Sequence, residues 1–178
     1  MTETKYRIAL IGPPGTGKTT IGDHFLSLRP EPRGVRLSFA DALKTEVHNS
    51  LDFVPKTPEE KELVRPVYQA WGMFRRLHNG EDYWVKYVEM YIEMMAHFDQ
   101  VVDDCRFPNE YELLKQKQYK FVRLEAGGTT IAVADHESER HWPSFEADLV
   151  LDYIKGPRLQ AERIIYWLEG GANDNAGD

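Results

Sequence analysis

Gly12-Pro13-Pro14-Gly15-Thr16-Gly17-Lys18-Thr19 satisfies every fixed position of the pattern G-x-x-x-x-G-K-[ST]. Working outward, Tyr6-Arg7-Ile8-Ala9-Leu10-Ile11 reads as a buried strand, and Thr20 to Leu28 reads as a helix with Ile21, Phe25 and Leu28 on one face. That strand–loop–helix frame gives the pattern a mechanism. The glycines let the backbone curl so that its N–H groups point inward at phosphate oxygens, and the helix N-terminus adds the positive end of its dipole. Lys18 would reach the β- and γ-phosphates, and the Thr19 hydroxyl would ligate Mg²⁺. Gly12, Pro13, Pro14, Gly15, Thr16, Gly17, Lys18, Thr19 and Thr20 are therefore the expected site for ATP. The competing account is a glycine- and proline-rich surface turn that fits by chance; the flanking strand and helix argue against it.

The 178 residues suffice for one domain with a full hydrophobic core, expected over residues 1–169 with a small polar tail, disordered, at 170–178. Hydrophobic and charged contents of 42% and 29% are ordinary for a globular protein. The net charge of −7 argues against a nucleic-acid partner, since such surfaces usually carry a basic face. Cys105 is the single cysteine, which excludes an intrachain disulfide and a zinc site built from cysteines. No apolar run approaches membrane-spanning length, and Met1-Thr2-Glu3-Thr4-Lys5 lacks a signal-peptide pattern, so the expected location is cytoplasmic and no membrane partner is expected. Whether the chain forms a homodimer stays open.

Further along, strands are expected at 35–39, 100–102, 120–124 and 148–152. Helices are expected at 41–48, 59–77, 82–97, from Pro108, and from Pro157. In the second of these Val64, Val67, Trp71 and Phe74 recur at helical spacing, with Pro66 implying an early kink or a late start. In the third, Trp84, Val88, Tyr91 and Met95 form a stripe expected to face the core. Strands spaced by helices, with a phosphate loop after the first strand, mean a parallel sheet covered on both faces. The fold class is thus α/β, a P-loop NTPase three-layer sandwich with a central parallel sheet. It carries a helical insertion at about 41–97 and a short lid at about 126–144. Ligands in such folds sit beyond the carboxyl ends of the strands, which gathers Gly12–Thr19, Asp103–Arg106 and the 127–144 loop around one crevice.

The base-reading motif N-K-x-D of switch GTPases is missing, and the chain is short for an ATP-driven motor. The large helical insertion is where a small-molecule kinase would bind its second substrate. Several pieces then follow in order: Phe39-Ala40-Asp41-Ala42-Leu43-Lys44; Gln69-Ala70-Trp71-Gly72 with Arg75-Arg76; Tyr83-Trp84-Val85; Val102-Asp103-Asp104-Cys105-Arg106-Phe107-Pro108-Asn109-Glu110; Asp135-His136-Glu137-Ser138-Glu139; and Ala147-Asp148-Leu149-Val150. The series resembles the bacteriophage-type deoxynucleoside monophosphate kinases, which are similar to the phosphomevalonate kinases of animals. The resemblance runs from about Tyr6 to Leu168. It departs at Gly72-Met73-Phe74, where the family often has Gly-Thr-Glu, and at Asp152 or Tyr153, where the family has Asn. These departures bear on the acceptor's base and sugar rather than on the chemistry. The resemblance implies ATP- and Mg²⁺-dependent phosphorylation of a deoxynucleoside 5′-monophosphate to its diphosphate.

Phosphoryl transfer needs alignment, charge neutralisation and exclusion of water more than covalent chemistry. Lys18 would bear charge on the donor, and Asp104, or Asp103, could hold a metal-bound water or orient the acceptor through Arg106. Alternatively one of the pair caps the helix beginning near Phe107. A monophosphate brings about two negative charges, so arginines must hold it beside ATP. Either Arg75 or Arg76 is the expected clamp, the other being a solvated face residue. Asp41, Lys44 and Gln69 are further candidates for the acceptor, Lys44 by charge and Gln69 through its amide. Arg140 could approach the transferring phosphate as the lid closes on glycines 127 and 128, with Arg123 a competitor. His136 would order the lid with Ser138 and Glu139; Cys105 is expected to pack rather than react. Two rival readings stay open: a kinase acting on a modified base in DNA or on another small acceptor, and a module that binds ATP without turning it over.

Overall fold

The computed structural model describes residues 5–32, 34–125, 140–152 and 156–171. Five parallel strands form one sheet: β1 (Arg7–Ile11), β2 (Val35–Leu37), β3 (Gln100–Val102), β4 (Lys120–Leu124) and β5 (Leu149–Leu151), in the order β2-β3-β1-β4-β5. β1 is central because it is apolar on both faces. Ile8, Ala9, Leu10 and Ile11 are all fully buried. Alternation along the strand divides its side chains between two layers. Ile8 and Leu10 pack with Ile21 and Phe25 of α1 (Lys18–Leu28) and Ala161 and Ile164 of α6 (Pro157–Leu168). Ala9 and Ile11 pack on the opposite face with Val88 and Ile92 of α4 (Tyr83–Met94) and Leu114 of α5 (Pro108–Gln116). This is the expected three-layer α/β architecture.

The helical insertion comprises α2 (Phe39–Leu51), α3 (Pro58–Asn79) and α4. α2 begins two residues earlier than expected, because Ser38 ends the strand and takes the N-cap position. α3 starts at a capping box in which Thr57 and Glu60 bond each other's backbone, with Pro58 at the first helical turn. It runs unbroken through Pro66, where a kink or a late start was expected. α4 is shorter than expected and turns by about one residue: Trp84, Val85, Val88 and Ile92 are buried, while Tyr91 is exposed. On α3, Val64 and Gly72 are buried but Val67 and Phe74, expected on the same face as Val64, are exposed. Of the expected lid, residues 126–139 lie outside the described residues, and with them glycines 127 and 128, His136, Ser138 and Glu139. Residues 140–144 form a turn and a short 3₁₀ segment, Trp142–Ser144. Tyr153 and residues 172–178 of the expected tail also lie outside the described residues. Among the described residues no helix is long and apolar enough to cross a membrane.

Candidate active site

The carboxyl ends of β1 and β3, where the strand order reverses, carry the loop after Ile11 and the segment after Val102. The loop has the shape its glycines permit. Gly12 sits at φ 144°, and a Cβ there would lie 2.5 Å from the Leu124 carbonyl oxygen, so only glycine fits. Gly15 and Gly17 face open space at φ 81° and 79°, so it is the left-handed backbone that requires them. The Thr16 hydroxyl donates to the Pro13 carbonyl at 2.9 Å, closing the loop on itself. α1 then starts from Gly17, which offers no capping side chain, and its first turn holds no acidic residue. The dipole end therefore meets no negative charge of the helix's own.

Lys18 folds back over this loop and donates to the carbonyls of Gly12 (2.8 Å) and Pro13 (2.7 Å). Burial pushes its pKa down to about 8, and the neighbouring Arg106 pushes the same way, while Asp103 and Asp104 oppose them. Arg106, Asp103 and Asp104 are thus each within electrostatic reach of Lys18. Thr19 and Thr20 are exposed on the first turn of α1. Beside the loop lies a cavity of about 180 Å³, walled by Gly15–Gly17 and Thr20 on one side and by Leu124, Glu125, Pro157 and Gln160 on the other. Gln160 is buried and donates to the Asp152 carbonyl at 2.8 Å, and its own Oε1 has no partner.

The two carboxylates after β3 have separate tasks. Asp104 reaches across to the N-terminus of α2, where it accepts from the Ser38 hydroxyl (2.6 Å), the Phe39 N–H (2.9 Å) and the Ala40 N–H (3.0 Å). Burial raises its pKa, and these bonds hold it back. Asp103 is buried and paired with Arg36 at 3.2 Å. Neither caps the helix that starts near Phe107. Glu110 does so: its Oε2 accepts from the N–H groups of Arg106 (2.7 Å) and Phe107 (3.0 Å). Burial and the proximity of Asp104 raise Glu110 to about 8, against those two bonds and the charge of Arg76.

On the insertion, the neighbouring arginines diverge. Arg75 donates to Glu46 at 2.8 Å and lies over the rings of Trp71 and Tyr83, joining α3 to α2 and α4. Arg76 lies 4.0 Å above the Phe107 ring and within electrostatic reach of Glu110. Asp41 and Lys44 pair with each other at 3.5 Å on the exposed face of α2, and Gln69 is exposed on α3. Arg123 donates to the carbonyls of Pro143 and Phe145, tying the 3₁₀ segment to β4, and Arg140 stands in the turn just before that segment. Cys105 is buried, and burial pushes its thiol well up, as packing requires. Sequence reasoning passed over Arg36, Ser38 and Gln160. Ser38 carried a signal, a serine immediately before a helical run; Arg36 and Gln160 meet their partners through the fold alone.

No protein-family model matches the chain, and no curated protein does. Among solved structures it is similar to an unliganded sugar kinase from a Janibacter species, with TM-score 0.52 and 16% identity over 93% of this chain and 95% of that one. The chain shares with that structure its three-layer α/β fold, a parallel sheet flanked by helices. A tunicamycin resistance protein of Deinococcus radiodurans is also similar, with TM-score 0.49 and 13% identity over 95% and 98% of the two chains.

Proposed function

We propose that this chain is an ATP- and Mg²⁺-dependent phosphotransferase whose acceptor is a deoxynucleoside 5′-monophosphate. The observation that carries the reading is the phosphate loop: three glycines at positive φ, an uncapped helix N-terminus, and Lys18 folded over them. Lys18 exchanges its two carbonyl acceptors for β- and γ-phosphate oxygens of the donor. The donor's base enters the cavity beside the loop, against Leu124, Pro157 and Gln160. Among the described residues no group of three metal-ligating side chains exists, so the metal would be carried by Thr19 with phosphate oxygens and water, and by Asp104 or Asp103 through water. Mg²⁺ held there supplies neutralisation of the negative charge on the transferring group.

The state of the carboxylates favours a phosphate over a hydroxyl as acceptor. A hydroxyl must lose a proton to a base, and Asp103 and Asp104 are already committed to Arg36 and to the start of α2. A phosphate arrives ionised. Its oxygen forms the new bond to the γ-phosphorus as the bond to the β,γ-bridging oxygen breaks, so no base is needed. Arg106, within electrostatic reach of Lys18, and Arg76, over Phe107, would take such a dianion, with Asp41, Lys44 and Gln69 along the insertion as its further contacts and Arg140 approaching from the lid side. Arg75 holds the insertion together rather than the phosphate. The deoxynucleotide class follows the resemblance of the motif series; the sugar kinase likeness supports phosphoryl transfer and leaves the acceptor to experiment.

The test is ADP release from ATP and Mg²⁺ with dTMP, dGMP, dCMP, dAMP, dUMP and their ribose counterparts, each alone. Stimulation by one or a few deoxynucleotides is expected, with Arg76→Ala raising the acceptor KM about tenfold or more. Silence across the panel, with ATP still bound, overturns the acceptor assignment.

A further inference from the structure

Of the fifteen large apolar side chains exposed among the described residues, twelve lie between Leu51 and Met94, in the helical insertion. Those of α3 are ordered. Leu63, Val67, Ala70, Phe74 and Leu77 recur at spacings of four and three, the period of a helix seam that faces another helix. Leu63, Phe74 and Leu77 are 74%, 53% and 81% exposed, and Ala70 at the centre is exposed as well. At about 100° per residue, this stripe lies on a different side of α3 from buried Val64 and Gly72 and from Arg76 over Phe107. It belongs neither to the core nor to the site described above.

We propose that two copies of this chain pair through this stripe, with their α3 helices antiparallel about a two-fold axis at Ala70. The pattern is its own complement: about that axis Leu63 of one copy meets Leu77 of the other, and Val67 meets the Met73–Phe74 pair. The one small side chain of the stripe stands at the crossing point, where two helices come closest. Charge and dipole select the direction. At the rim of the stripe itself Glu59 and Glu60 stand at the start of α3 and His78 at its end, where it stacks on Phe74. Antiparallel pairing sets those glutamates toward the partner's histidine and opposes the helix dipoles; parallel pairing would set like beside like. With Met73, the stripe exposes on the order of 600 Å² of apolar surface, the upper range for a monomer's largest patch. Adding its polar rim brings it to the ~800 Å² that one partner contributes to a stable interface.

The test uses the full chain. Sedimentation velocity from about 1 to 100 µM should give a species of twice the 20.6 kDa chain mass, and Phe74→Glu with Leu77→Glu should weaken association at least tenfold. Retained ATP binding would show that this variant is folded. Because Cys105 is buried, an introduced cysteine reports by itself. Ala70→Cys should become a disulfide-linked dimer under mild oxidant, and separately made Leu63→Cys and Leu77→Cys proteins should link to each other but not to themselves. A monomer at every concentration overturns the proposal. So does linkage of Leu63→Cys to itself, which would mean parallel pairing.

Discussion

Lys18 is a cation held where cations are unstable. Its pKa of about 8 lies below the ordinary 10.5, chiefly through burial and then through Arg106, so it titrates just above neutral pH. Phosphate binding requires it charged. The Kd of an ATP analogue should therefore be flat between pH 7 and 8 and then rise by up to about tenfold per pH unit above that, read by titration calorimetry in matched buffers. Lys18→Met should abolish this dependence and lower transfer by about 10²-fold or more, while the unfolding midpoint stays or rises because a buried charge has gone. Glu110 is shifted the other way. At about 8 in the folded chain against an ordinary 4.5, it keeps a proton there that the unfolded chain has released. The stability this gives is complete below pH 4.5 and is lost as pH rises through 8. Urea midpoints should show a steeper loss from pH 5 to 8 in the native chain than in Glu110→Gln, whose amide oxygen still accepts from Arg106 and Phe107 without titrating. Sequence alone singled out Lys18, because the motif specifies a lysine there. It left Arg75 and Arg76 undivided, since adjacent helical residues point about 100° apart and only the packing of α3 says which way each faces.

Among the elements, α4 packs the insertion onto the sheet, and Asp104 on the N-terminus of α2 ties its first helix to the end of β3. Asp104→Ala removes the acceptor for two N–H groups and the Ser38 hydroxyl. The expected loss is about 2 kcal/mol of unfolding free energy in urea. That contact joins residues more than sixty positions apart, which is why the only cap the sequence reading weighed for this pair was on the nearer helix, where Glu110 already serves. β1, the phosphate loop and α1 were legible because apolar run, glycine spacing and helical period all agree over adjacent residues. The insertion was legible only as helices. Reading Ser38 as strand delayed the start of α2, and a stripe drawn through Tyr91 missed Ile92, the residue the core takes. Val67 and Phe74 share a helical period with Val64 without sharing its burial. Period shows that a helix has an apolar face, and not what covers it.

At the scale of the molecule, a ligand that binds the folded chain alone must stabilise it. ATP with Mg²⁺ at about a hundred times its Kd should add about 2.7 kcal/mol, or roughly 5–11 °C in Tm for a chain of this size, and Lys18→Met should lose most of that shift. The cavity between the loop and α6 draws on both ends of the chain, so the shift should be felt cooperatively rather than in one helix. The strand order has a consequence for how the molecule is made. β1 is the first strand synthesised, yet its neighbours are β3 and β4, and β3 begins roughly ninety residues later. At about 5–20 residues per second, the most apolar segment of the chain leaves the ribosome several seconds before any strand it can pair with exists. Throughout that interval α1 can form locally, but the centre of the sheet is an unpaired hydrophobic ribbon. Nascent chains arrested before Gln100 should accordingly be chaperone clients, and release from the chaperone should coincide with the emergence of Gln100–Leu124.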